Sequence, residues 1–206
     1  MNVDSLTTPH LEVTPFRRLL RPLFCLLFAA ILTNPAVRAG EMHTGNTYAL
    51  TFTDVDRHQL STSDGHVTII TVLTRKDEEK AEQVGERVPH VYMGDPKYRL
   101  ITLVNFQRSI FPMLQGMINA IIRNRMDAEA SDLQKIYTEK HLTRNPRSDI
   151  YVVADYDGKA VSQLGMTATS SDFAVFVFDG KGRLVRHWTD VPAAEALSAA
   201  LSEARP

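Results

Sequence analysis

Thr74, Arg75, Lys76 and Asp77 bring a hydroxyl, two cations and a carboxylate to the junction between an apolar run and a helical pattern. The run, Val67-Thr68-Ile69-Ile70-Thr71-Val72-Leu73, is β-branched nearly throughout and suits a central strand buried on both faces. Open α/β sheets bind ligands at the carboxyl ends of their strands. Two cations beside the unpaired amides of a helix start are suited to a carboxylate or a phosphate. The same residues also read as a solvated loop in which Asp77 is simply the helix cap. None of the four supplies a thiolate, and the single cysteine of the chain, Cys25, falls within its first forty residues.

Other side chains offer weaker chemistry. Seven histidines are present, none at a metal spacing such as H-x3-H. His58 and His66 flank a proposed hairpin and could meet across it, although solvated or structural roles are expected. Met113, Met117 and Met126 carry the soft sulfur that copper takes. Met113 and Met117 fall within an apolar helix stripe, where methionine fills gaps in a core. Asp155-x-Asp157-Gly158 resembles a fragment of a calcium loop without the later ligands, so turn chemistry is expected of Asp54, Asp56, Asp155 and Asp157. The chain has no Gly-rich phosphate loop, G-x-S-x-G elbow or H-E-x-x-H, and no spacing ties serine and histidine into a triad. Neither a metal nor a cofactor is expected.

The first forty residues read as targeting. Arg17, Arg18 and Arg21 form a basic region, Leu23 to Leu32 is uncharged and apolar, and Val37-Arg38-Ala39 follows as a cleavage site. Ten apolar residues fall short of the roughly 18 to 20 that span a bilayer, so cleavage after Ala39 is expected rather than a stable membrane anchor. A plain secretory signal is favoured over a twin-arginine one. Cleavage removes four arginines and two acidic residues, which takes the formal net charge from −1 to −3 and leaves 167 of 206 residues, enough for one domain. A nearly balanced charge without a basic block argues against nucleic acid and against an anionic membrane surface. Residues 40–206 contain no cysteine, so there is no disulfide framework.

The pattern predicts how the candidate residues are positioned. Tyr48 to Phe52 suits a short strand, and Asp64-Gly65 turns into the Val67–Leu73 strand. A helix starts after Asp77, with Ala81, Val84 and Val88 on one face, and ends at Pro89. Tyr98 to Phe106 is a second strand expected to be buried on both faces, which makes a right-handed parallel βαβ unit. Residues 109 to 141 are helical, in two stretches separated by a polar break at Arg123-Asn124-Arg125. The apolar face around Ile110, Phe111, Ile121 and Ile122 is wide. Burial against the sheet is expected; partial exposure would instead make a groove or a dimer face. Asp149 to Lys159 and Asp172 to Lys181 look like two similar hairpins, the second turning at Asp179-Gly180-Lys181-Gly182. A helix from about Pro192 to Glu203 closes the chain.

A parallel βαβ, a helical connection, an antiparallel hairpin and a closing helix resemble the thioredoxin order. The opening Phe52-Thr53-Asp54-Val55-Asp56, Leu60-Ser61 and Asp64-Gly65-His66-Val67 resembles the redoxin version (peroxiredoxin and TlpA-like), in which an N-terminal hairpin precedes the core strand. The stretch Ala174 to Val185 looks like that family's hydrophobic strand, D-x-x-G, basic and apolar hairpin. More narrowly, the chain resembles the cysteine-less periplasmic YtfJ-type group, over roughly residues 48 to 203. The resemblance implies an α/β three-layer sandwich with a mixed central sheet, flanking helices and a helical insertion. In that family a cysteine at the helix start and a cis-proline before the hairpin form the site. Here Thr74 to Asp77 and Ser170-Ser171-Asp172 stand in those places. Ser171 therefore joins Thr74, Arg75 and Lys76 as a candidate ligand-binding residue.

Thiol-disulfide exchange and cysteine peroxidase chemistry are excluded for residues 40–206. The function expected is that of a periplasmic, redox-inactive domain binding a protein or peptide partner. A non-thiol enzyme or small-anion site at Thr74-Arg75-Lys76 is the alternative, and a metal-handling accessory the weaker one.

Overall fold

The computed structural model describes residues 40–205; the expected export signal, Cys25 and the expected cleavage point after Ala39 lie outside them. The elements in chain order are β1 (Thr51–Thr53), β2 (Gln59–Ser61), β3 (Val67–Leu73), α1 (Glu78–Arg87), β4 (Tyr98–Asn105), α2 (Pro112–Glu139), β5 (Ile150–Asp155), α3 (Lys159–Gln163), β6 (Ala174–Phe178), β7 (Leu184–Trp188) and α4 (Ala194–Glu203).

The β-branched run forms β3, buried along its whole length, at the centre of a sheet ordered β5-β4-β3-β6-β7. It is parallel to β4, which is parallel to β5, and antiparallel to β6, which pairs antiparallel with β7. Both parallel crossovers step in the same direction, and a right-handed connection then sets α1 and α2 on one face. Val84 and Val88 of α1 and Leu197 and Leu201 of α4 pack there on Ile69 and Val175. On the other face Phe52 and Leu60 of the β1–β2 hairpin and Val161 of α3 pack on Ile70, Ile101 and Phe176.

Three sequence expectations need correction. The polar residues at 123–125 do not interrupt α2, a single helix of 28 residues. Ile122, Met126, Ala130, Leu133 and Tyr137 recur at four, four, three and four, and the first four of them pack with Ile150 and Val152. The arginines within the supposed break point to carboxylates elsewhere: Arg123 Nε lies 3.0 Å from Asp56 and Arg125 Nη1 3.1 Å from Glu78. The stretch Asp149 to Lys159 is likewise no hairpin. After β5, Gly158 takes a left-handed conformation (φ 79°) and starts α3, while the buried Asp155 carboxylate accepts the amides of Gly158 and Val161 at 2.8 Å each. The hairpin expected at Asp179–Gly182 does form, with Asp179 Oδ1 accepting the amides of Lys181 (2.9 Å) and Arg183 (3.0 Å).

The third correction concerns β4. Arg99, Ile101, Leu103 and Asn105 are buried, but their alternates Tyr98, Leu100, Thr102 and Val104 are only half-buried. One face of this interior strand is thus partly uncovered, on the side where α1 and α2 lie.

Candidate functional site

The opening over β4 is a groove of about 650 Å³ between α1 and α2. Thr102 and Val104 floor it, with Leu73 and Val152 from the neighbouring strands. The wall from α1 is built of Glu78, Ala81, Glu82, Gly85 and Glu86, which recur at three and four while Val84 and Val88 go into the core. Two of those wall residues, Ala81 and Gly85, are small, and nothing lies within 4 Å of where a Cβ on Gly85 would sit. The opposite wall is the apolar part of α2, including Ile118, Ile121 and Ile122, and Ile110 adds to it from the preceding loop.

That loop fixes where α2 begins. Gln107 (φ 52°) and Arg108 (φ 57°) are consecutive left-handed residues, each costing about 1–2 kcal/mol. Side-chain bonds offset the cost: Gln107 Nε2 donates to the carbonyls of Thr169 (3.1 Å) and Ser170 (3.2 Å), and Arg108 Nε donates to that of Asp157 (2.9 Å). Pro112 then occupies the first turn, where its missing amide costs nothing. Tyr156 anchors the first half of α2, stacking on Phe106 with ring centroids 4.8 Å apart and donating to Asn119 Oδ1 at 2.7 Å.

Met113 and Met117, expected in the core, are 87% and 58% exposed, and Phe111 is 73% exposed. The periodic stripe that meets the sheet begins only at Ile122, so the apolar residues before it face the groove and solvent. Burial of the whole face is not what the chain adopts.

The groove is acidic at its rim. Glu78 pairs with Arg125 at 3.1 Å, but among the described residues Glu82, Glu86 and Glu129 have no ion-pair partner. Glu129, on α2, lies at the surface, yet the groove wall strips enough water from its carboxyl to raise the pKa, and the Asp132 charge adds to the effect. Neither Glu82, Glu86 nor Glu129 was a sequence candidate. The available signal was the four-residue repeat Glu78, Glu82, Glu86.

The four sequence candidates do not converge on one site. The Thr74 hydroxyl and amide both donate to Asp77 Oδ2, at 2.7 and 3.2 Å. Asp77 stands at the N-cap of α1, but its carboxylate turns back to the strand end instead of capping the helix amides. Arg75 lines the groove, Ser171 lines a second cavity, and Thr74 and Lys76 line neither.

The second cavity, about 490 Å³, lies beside the start of α1 and is lined by Glu41, Asp77, Lys80, Ser171, Asp172 and His187 among others. Its one lysine is engaged: Lys80 Nζ lies 2.9 Å from Asp190 and 5.4 Å from the centroid of the Phe173 ring. His187 stacks on Phe176 with centroids 5.9 Å apart. Among the described residues no hydrogen bond joins it to a serine, so no nucleophile and base are paired there. The loop before β6 is closed by Ser170 Oγ donating to Asp172 at 2.6 Å and by Asn105 Nδ2 donating to the Ser170 carbonyl at 3.0 Å.

Asp54, Asp56 and His58 place ligand atoms within 4.8 Å of one another, but their oxygens are already in use. Asp54 accepts the amides of Asp56 (2.9 Å) and His58 (2.7 Å) and meets His58 Nδ1 at 2.8 Å. Asp56 meets Arg123 and Arg147. Burial opposes its ionisation, yet these two guanidiniums hold its pKa below the usual carboxylate range. Two cations in the cluster disfavour a third. His58 and His66 each pair with a nearby aspartate, His66 with Asp64 at 2.8 Å.

No family model and no curated protein matches this chain. Among solved structures it is similar to a peroxiredoxin-like protein from Aquifex aeolicus, at 12% identity and a TM-score of 0.48, over 80% of this chain and 89% of that one. It is similar also to a pneumococcal exposed lipoprotein thioredoxin from Streptococcus pneumoniae, at 14% identity and a TM-score of 0.45, over 75% and 98%. A third is a putative thiol:disulfide interchange protein DsbE from Chlorobium tepidum, at 10% identity and a TM-score of 0.46, over 80% and 99%. With β3 flanked by a parallel βαβ crossover on one side and an antiparallel hairpin on the other, and with helices and a hairpin covering the two faces, the chain has a thioredoxin-like α/β fold.

Proposed function

We propose that this chain is an exported, redox-inactive thioredoxin-like domain that acts by binding a polypeptide segment in the groove between α1 and α2. One observation carries the proposal: Thr102 and Val104 of β4 remain half-uncovered in the parallel part of the sheet. Parallel sheets are otherwise covered on both faces. Exposed apolar residues border the opening, and contiguous apolar surface of that kind marks interaction sites. Dithiol exchange needs two cysteine thiols, and residues 40–206 have no cysteine. The basic and apolar N-terminal segment supports export to the periplasm.

The test is photo-crosslinking in a periplasmic extract, with a benzophenone side chain placed at Ile121 or at Ser171. Polypeptide adducts from position 121, absent from position 171 and abolished by Ile118→Asp, are expected. Adducts from 171 alone would move the site to the second cavity beside the start of α1, and adducts from neither would overturn a polypeptide-binding function.

A further inference from the structure

We infer that the groove takes a cationic amphipathic helix, with its apolar face over Val104, Ile118 and Ile121 and its basic residues along the carboxylates of α1. This rests on the groove being the binding site, as proposed above. Glu78, Glu82 and Glu86 all line the groove at four-residue intervals, a row of about 12 Å at 1.5 Å per residue. Lysines or arginines at the same interval on a partner helix repeat with the same rise and meet that row in register. The lining holds four carboxylates, Glu78, Glu82, Glu86 and Glu129, against two guanidiniums, Arg75 and Arg125. Arg125 is already engaged by Glu78, whereas among the described residues Glu82, Glu86 and Glu129 have no ion-pair partner.

The floor of the groove argues for a helix over an extended segment. β4 is hydrogen-bonded to β3 on one side and β5 on the other, so no strand edge is offered to an incoming backbone. An extended segment would leave its amides and carbonyls unpaired against apolar walls, whereas a helix satisfies its own. A second copy of this chain is a poor occupant. Its exposed apolar stretch, Pro112 to Ile122, contains no lysine or arginine to meet the glutamates.

The experiment uses residues 40–206, which carry both walls of the groove and all of the described core, and three labelled helical peptides of about 18 residues. The peptides share one leucine face and differ only in their flanking positions, which are lysine, glutamine or glutamate. Fluorescence anisotropy at about 0.05 M salt should show the lysine peptide binding about ten-fold more tightly than the glutamate peptide. The difference should narrow at about 0.5 M salt. Glu82→Gln with Glu86→Gln should erase the preference, while Glu139→Gln with Glu195→Gln, which removes the same net charge elsewhere, should keep it. Equal binding of all three peptides, lost in Ile121→Asp, would overturn the cationic preference and leave the groove as the site. Loss of the preference in the control pair would overturn it too, by assigning it to net charge. No binding by any peptide to the folded chain would overturn both proposals. A dimer that Ile121→Asp dissociates in sedimentation would put a second copy in the groove and overturn the helix assignment.

Discussion

Arg99 and Asp64, 35 positions apart, tie β4 to the turn that follows β2, with Nη1 to Oδ2 at 2.9 Å and Nη2 to Oδ1 at 3.1 Å. The guanidinium is buried and also donates to the Ser61 carbonyl and to Thr68 Oγ1. Burial works against ionisation of Asp64, but the hydrogen bonds from Arg99 and His66 outweigh it and hold the carboxyl at about 2 against an ordinary 3.8. The depressed value means that the stabilisation is present at neutral pH and is lost as pH falls from about 4 toward 2. Asp64→Asn should cost about 2–4 kcal/mol at pH 7, because it leaves a buried guanidinium without its counter-charge. The gap from wild type should close in urea unfolding at pH 2. A constant gap would place the stabilisation in something other than the charge.

Three methionines on α2 should behave differently. Met113→Ser and Met117→Ser should each move stability by no more than about 0.5 kcal/mol, because both side chains stand in solvent. Met126→Ala should cost about 2–4 kcal/mol, since Met126 packs with Ile150 and Val152. Equal costs at all three would show the first half of the helix to be covered in solution.

Glu129 offers a stability test with the opposite sign. Its raised pKa means that the folded state disfavours the charged form, so stability falls as pH rises through that titration. Glu129→Gln should therefore raise the thermal midpoint at pH 7 and leave it unchanged near pH 3, where both side chains are neutral. A lower midpoint at pH 7 would mean that the carboxylate has a partner in solution.

The junction of β5 and α3 should be intolerant. Asp155→Ala strands two buried amides and should cost about 2–4 kcal/mol. Gly158→Ala should cost about as much, since its Cβ would fall 2.0 Å from the Ala168 Cβ and 2.8 Å from the Ala168 Cα, at a φ of +79°. Calorimetry on both variants checks this, and a loss below about 1 kcal/mol would instead mean that the loop relaxes.

Most of this architecture was legible in local pattern. The Val67–Leu73 run became the central strand, and Asp179–Gly182 became the hairpin turn, because each carries its own conformational preference. Periodicity also grouped Ile121 and Ile122 on one wide apolar face. What stands opposite that face is set by how far apart α1 and α2 lie over β4, and no local pattern encodes such a distance. The polar residues at 123–125 misled for a related reason: their carboxylate partners, Asp56 and Glu78, come from distant parts of the chain. The candidate residues from Thr74 to Lys76 are contiguous in sequence, yet a strand end directs neighbouring side chains to different places.

The bond from Thr74 to Asp77 also bears on what a thiol placed at this helix start could do. A cysteine introduced at position 74 would set its sulfur where the threonine hydroxyl now sits, 2.7 Å from a carboxylate oxygen. An anion at that distance opposes formation of the thiolate, so the new thiol would be a sluggish nucleophile. A reactive thiol there would take a change at Asp77 as well. The carboxylate at the helix start thus couples positions 74 and 77 in any design that aims at a nucleophile there.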